Sequence, residues 1–250
     1  MDYSFFFVLV YLAKILKKIA MIRSLLVSIL FCSSFLSMAQ ETGENSLGSW
    51  HMYFGTNKIS DKLSIHTEAQ LRYYENGKNF NQLLLRTGLN YHINPHAIAT
   101  LGYGHITTDG TFEEFPDETN SIEHRIFEQF ILKNKVGEFL FEHRYRLEQR
   151  FIDFGDRTDT QHRARYRLQV TLPLTDIFFL NFYDEVFLNL QDDVFGQNRL
   201  YGALGINVTS NLSAQVGYMK NHFPNANFDR LQIGVIYNPD LRGIFKKEKT

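Results

Sequence analysis

Arginine falls on alternate positions of one parity in two nearby stretches of this chain, with a glutamate taking one such position. Phe141 to Arg150 reads FEHRYRLEQR, and Arg163 to Arg167 reads RARYR. Side chains two residues apart on an extended chain share one face. Guanidinium groups stacked in this way and interleaved with glutamates can do one of two things. They can pair with carboxylates inside a polar interior, or they can gather an anion. The same two-residue spacing collects Glu68, Arg72, Arg86, Glu123, Arg125, Glu142, Arg144, Arg146, Glu148, Arg150, Arg163, Arg165, Arg167, Glu185, Arg199 and Arg230 onto one set of positions. These are the candidate site residues.

Other residue types offer less. His105, His124, His143 and His162 are spaced 19 residues apart, which invites a metal site. Zinc, however, needs three or four ligands converging on one point. His143 shares its face with Phe139, Phe141 and Tyr145, and a strand-plus-turn repeat explains the even spacing, so no metal is expected. Ser64, His66 and Glu68 follow along one strand face and suggest an acyl hydrolase. Along a strand, Ser64 and His66 would lie about 6–7 Å apart, too far for direct proton transfer. Asp109 to Asn120 carries Glu113, Glu114, Asp117 and Glu118 without the ordered spacing of a calcium loop, and so reads as a solvated acidic loop. Tyr53, Tyr73, Tyr91, Tyr103, Tyr145, Tyr218 and Tyr237 gather near strand ends, as interfacial girdles do. No cofactor and no catalytic set are expected.

The elements that must carry these residues are strands. Leu63, Ile65, Thr67, Ala69, Leu71 and Tyr73 alternate with Ser64, His66, Glu68, Gln70, Arg72 and Tyr74. The same period of two runs through Gln82–Tyr91, Glu138–Glu148 and Arg163–Leu172, and further strands are read at 96–106, 121–133, 177–189, 198–208, 211–221 and 228–238. Runs of this length exceed the ~5–6 residues of a typical globular strand and match the ~9–11 that a tilted strand needs to cross hydrocarbon. An Arg on the lipid side would cost ~2–4 kcal/mol at mid-membrane, so the charged set must line the lumen. Leu83, Leu85, Leu89, Leu168 and Val170 are then the lipid face. Glu128 breaks the parity set by Glu123 and Arg125, which suggests a bulge. Of the adjacent pair Asp184 and Glu185, one carboxylate must face the apolar side or its rim.

Short turns at Asn94-Pro95, Asn134-Lys135, 173–176 and Ser210-Asn211 alternate with longer polar loops at 107–120, 153–160, 190–197 and 221–227. This is the asymmetry of an outer-membrane barrel, with short periplasmic turns and longer external loops. The expected fold is therefore all-β, a closed antiparallel transmembrane barrel. A strand at 50–56 would begin at the external side, against a periplasmic N-terminus, and would make the count eleven where bacterial barrels are even. Ten strands over 62–238 are expected, with 50–56 packed elsewhere. The alternative is twelve, with 241–245 as the last. A ten-stranded barrel holds little free volume, since eight strands are nearly filled by their own side chains. A sealed or narrowly conducting lumen is thus favoured over an anion-selective pore or a small-ligand barrel.

The N-terminus reads as a targeting segment. Lys14, Lys17, Lys18 and Arg23 precede the apolar run Leu25–Leu36, and Ser37-Met38-Ala39 forms a signal-peptidase site. Residues 1–39 are the expected signal peptide, with Met21 as an alternative start, and 40–250 is one barrel domain. The only cysteine, Cys32, falls within the signal. Cleavage removes Asp2 and four bases and leaves 22 basic against 26 acidic residues, which argues against a nucleic-acid partner. The expected surroundings are the lipid of a Gram-negative outer membrane, with a small anionic solute as the candidate soluble partner. No oligomeric state is specified.

With these residues in view, the chain resembles the outer-membrane barrel family called domain of unknown function 2490. The resemblance rests on Ser49-Trp50, on 66–72 (HTEAQLR), 82–88 (QLLLRTG), 123–125 (EHR), 141–150, 163–167 and 183–185 (YDE), and on Asn198-Arg199. It spans about residues 47–238. It implies an outer-membrane barrel, no assigned activity and no catalytic residues to carry over.

Overall fold

The computed structural model describes residues 42–113, 119–191 and 193–245. The signal-like segment with Ala39 and Cys32 lies outside those residues, as does 114–118 of the acidic loop. In chain order the strands are β1 Leu47–Lys58, β2 Leu63–Glu75, β3 Lys78–Asn94, β4 Ala97–Thr108, β5 Ser121–Val136, β6 Phe139–Asp153, β7 Thr158–Pro173, β8 Phe178–Asn189, β9 Phe195–Asn207, β10 Leu212–His222 and β11 Asn227–Tyr237. Each pairs with its sequence neighbours, and β1 pairs with β11, closing an eleven-stranded barrel.

Alternation explains the two faces. On β2, Ser64, Glu68, Gln70, Arg72 and Tyr74 are buried while Ile65 and Leu71 between them are exposed. The outer surface is mainly apolar. Leu85, Leu89, Leu147 and Leu204 are each close to half exposed, and Leu101 is 61% exposed. Two-residue turns at 76–77 and 137–138 put Gly77 and Gly137 at positive φ (73° and 58°), where a side chain would be strained.

The structure corrects the expected count. Segment 50–56 does not pack elsewhere: it lies within β1, which runs antiparallel to β2 and parallel to β11, with Trp50 opposite Arg72 on one side and Gln232 on the other. The even-number rule follows from barrels whose first and last strands meet antiparallel. The physical requirement is only that no edge be left unpaired, and a parallel seam meets it. With an odd count, β1 begins at the rim that carries the longer loops, whereas β11 ends at the rim of the short turns. Residues 241–245 are not a twelfth strand. Leu241 N donates to Lys58 O (2.8 Å), and Arg242–Phe245 form one helical turn.

No register shift occurs in β5. Glu128 simply faces outward, where its carboxylate accepts from Gln149 Nε2 at 3.2 Å. Asp184 also faces out, hydrogen-bonded by Asn198 Nδ2 at 2.5 Å, while Glu185 points in. The irregularity on β8 sits instead between Phe187 and Leu188.

Candidate functional site

The sixteen candidate residues all face the interior, eleven arginines and five glutamates on β2, β3, β5–β9 and β11. Their grouping is uneven. Between β6 and β7 two directly opposed pairs are like-charged, with Arg144 across from Arg167 and Arg146 across from Arg165, while Glu148 faces Arg163. Such pairs repel. Carboxylates on neighbouring positions offset this. Glu148 accepts from Arg163 Nη2 (2.5 Å) and Arg165 Nη1 (2.6 Å), and it also lies 3.5 Å from Arg146 Nη1 and 3.6 Å from Arg125 Nη1. Glu185 Oε1 takes Arg144 (2.6 Å) and Arg165 (2.7 Å). Glu123 holds Arg125 (2.6 Å) and Arg150 (2.8 Å), and Glu142 holds Arg167 (2.7 Å). On β2 and β3, Glu68 pairs with Arg86 and His66, each at 3.1 Å. These pairs are almost all shielded from solvent, so each carboxylate acts where water screens little.

Three arginines stand apart. Among the described residues, Arg72, Arg199 and Arg230 form no ion pair with a carboxylate. Arg72 donates to the amide oxygens of Gln70 and Gln82, both at 2.6 Å, and lies 3.7 Å from the centre of the Trp50 ring. Arg199 lies 4.9 Å from the same ring and 4.6 Å from Phe187. Arg230 packs 4.7 Å from Phe228 and beside Gly48, where an added Cβ would fall 2.7 Å from its Nη1. Below the Trp50 ring, Met52, Tyr201, Ala203 and Met219 form a small apolar core inside the barrel.

The lumen holds two cavities, of about 610 Å³ on the turn side and about 270 Å³ on the loop side. Trp50, Arg72, Arg86, Arg165 and Arg199 line both. They stand where the two meet, reaching in from β1, β2, β3, β7 and β9.

The family model described as Protein of unknown function (DUF2490) matches residues 47–232. The chain belongs to the DUF2490 family. No curated protein matches it. A solved structure described as the NanC porin in a rhombohedral crystal form is similar, at 10% identity and a TM-score of 0.47, covering 77% of this chain and 99% of that one.

In this DUF2490 barrel the other candidate chemistries fall into place without a shared centre. His105 and His124 face each other on the outer surface with ring centres 5.4 Å apart, while His143 meets the Tyr166 hydroxyl at 2.9 Å. Among the described residues no group of three metal-ligating side chains forms. Ser64 does not bond to His66. It meets His92 on β3 at 2.8 Å and accepts from Asn90 Nδ2 at 3.0 Å, with its side chain fully buried. Trp50, Phe187, Tyr183 and Tyr201 escaped sequence reasoning, because an aromatic residue on a strand signals an outer girdle as readily as an interior stack.

Proposed function

We propose that this protein is an outer-membrane barrel of a Gram-negative bacterium, exported after cleavage at Ala39. Its lumen is sealed, or conducts only narrowly, at the Trp50–arginine septum. The observation that carries the reading is that division of the lumen: guanidinium groups locked by carboxylates and by one indole stand between the two cavities. The apolar outer coat supports a lipid surrounding, since soluble proteins rarely expose so large a contiguous apolar area. Short turns would then face the periplasm and the longer loops the exterior. No helix among the described residues is long and apolar enough to cross a membrane. In a barrel the strands perform that crossing.

Reconstitution in planar bilayers tests the closed lumen. Little or no conductance is expected, and a large steady conductance overturns it. Membrane fractionation with N-terminal sequencing tests the location; a soluble product, or one that keeps residues 24–39, sinks that part.

One observation favours a second reading, an anion-preferring pore: the lumen carries eleven arginines against five glutamates. Such a pore would select anions through its lining charge. Arg72→Glu with Arg199→Glu, which breaks no ion pair of the unmodified lumen, would then shift selectivity toward cations.

A further inference from the structure

We propose that the loop-side cavity is a binding site for a compact dianionic oxyanion of the phosphate type. Eight of the side chains that line it are arginines and none is a carboxylate. Five of the eight are matched by glutamates set in the barrel wall. The remaining three, Arg72, Arg199 and Arg230, are the same three that form no ion pair among the described residues. Every unmatched cation of the candidate set therefore borders one cavity.

The donors are also unfilled. Trp50 Nε1, Arg86 Nε and Arg199 Nε are buried without a hydrogen-bond partner among the described residues, and buried donors of this kind demand an acceptor. Stacking on an aromatic ring holds a guanidinium in place and leaves its charge uncancelled. Arg72 and Arg199 lie over one indole, and Arg230 packs beside Gly48, two residues before it on β1. Planar forks gathered on one cavity in this way suit an ion that offers several oxygens at once, as phosphate does and chloride does not. The volume, about 270 Å³, is below the ~300–1,000 Å³ of sites for drug-sized ligands. It fits a phosphoryl group with its water, or a small phosphorylated compound, and not a long chain.

This deepens the closed-lumen reading, and the two fail separately. Conductance decides whether the septum seals, while anion binding is measured in detergent without a membrane. Trp50 is the only tryptophan of the chain, so its emission reports on the guanidinium groups over its ring. The refolded full chain is titrated with inorganic phosphate in lipid-free detergent, against chloride at matched ionic strength, with calorimetry in parallel. A saturable one-to-one response is expected. It should weaken by about tenfold or more in Arg199→Gln and in Arg230→Gln, with the circular dichroism of the barrel unchanged. A second arm adds a phosphorylated lipid in place of phosphate. A response confined to that arm, and lost in both variants, assigns the same chemistry to a lipid headgroup instead of a free phosphate. The proposal is overturned if neither arm gives a response above chloride, or if the response persists in folded variants.

Discussion

Two walls of the same lumen hold arginine in different ways. On the β5–β8 wall the guanidinium groups are crowded against each other and locked by carboxylates; Glu148 alone lies within 3.6 Å of four of them. On the wall of β1, β2, β9 and β11 the arginines rest on Trp50 and Phe228 or on side-chain amides, with no carboxylate partner among the described residues. Both arrangements satisfy a cation away from bulk water, but only the first cancels its charge. The arginines without a carboxylate partner among the described residues are thus confined to the wall around Trp50 and Phe228, where an anion would find unmatched donors.

The sharpest way to break this contrast is Glu148→Gln. It leaves the volume nearly unchanged but takes the shared negative charge from four guanidinium groups. Losing one partner of a buried ion pair costs about 3–5 kcal/mol, and denaturant unfolding of the refolded barrel should show a loss of that order. A loss below about 1 kcal/mol would mean that the wall is hydrated and its pairs are screened as surface pairs are. Trp50→Phe acts on the opposite wall and should do less. A smaller ring weakens both stacking contacts by about 0.5–1 kcal/mol each, while no charge is left unpaired. If it destabilises as much as Glu148→Gln, the two walls are not held by different means.

The smallest effect is expected outside the barrel, where a third arginine arrangement serves as the reference. Arg242, part-exposed, donates through Nε and Nη2 to Asp240, and Arg242 N donates to Asp240 Oδ1 at 3.1 Å. The side-chain hydrogen bonds from Arg242 hold the Asp240 carboxyl at about 2, below its ordinary 3.8. A depressed carboxylate lends its stabilisation above its unfolded pKa and loses it as pH falls through the folded one. The turn at Arg242–Phe245 should therefore loosen between pH 3.8 and about 2, seen as faster amide exchange at Arg242. The barrel itself should not respond. Loosening that begins near neutral pH would show that this pair does not hold the turn.

Much of this molecule is legible in the residue order. Period-two alternation sets which side chains share a face, because successive Cβ atoms on a strand point to opposite sides. The sixteen charged positions could be gathered on one face for that reason alone, and the apolar coat of Leu85 and Leu89 followed. Parity also assigned Glu185 inward and Asp184 outward once the strand was placed. The length of each alternating run further set these barrel strands apart from the shorter strands of a typical globular sheet.

What sequence could not decide is everything that depends on which strands meet. Whether β1 joins the barrel turns on hydrogen bonds to β11, about 180 residues away, with Trp50 opposite Gln232; no local pattern encodes a parallel seam. The partners of the arginines were hidden for the same reason. Alternation places Arg146 and Arg165 on the inner face, but only the register of β6 on β7 sets them opposite each other, with Glu148 on the diagonal. Ser64 finds His92 on the next strand instead of His66 on its own. Local chemistry determines the face a side chain occupies, because the strand backbone alone sets that direction. Which charges end up paired, and which three arginines have no carboxylate partner among the described residues, is decided by strand register and closure, which only the folded chain sets.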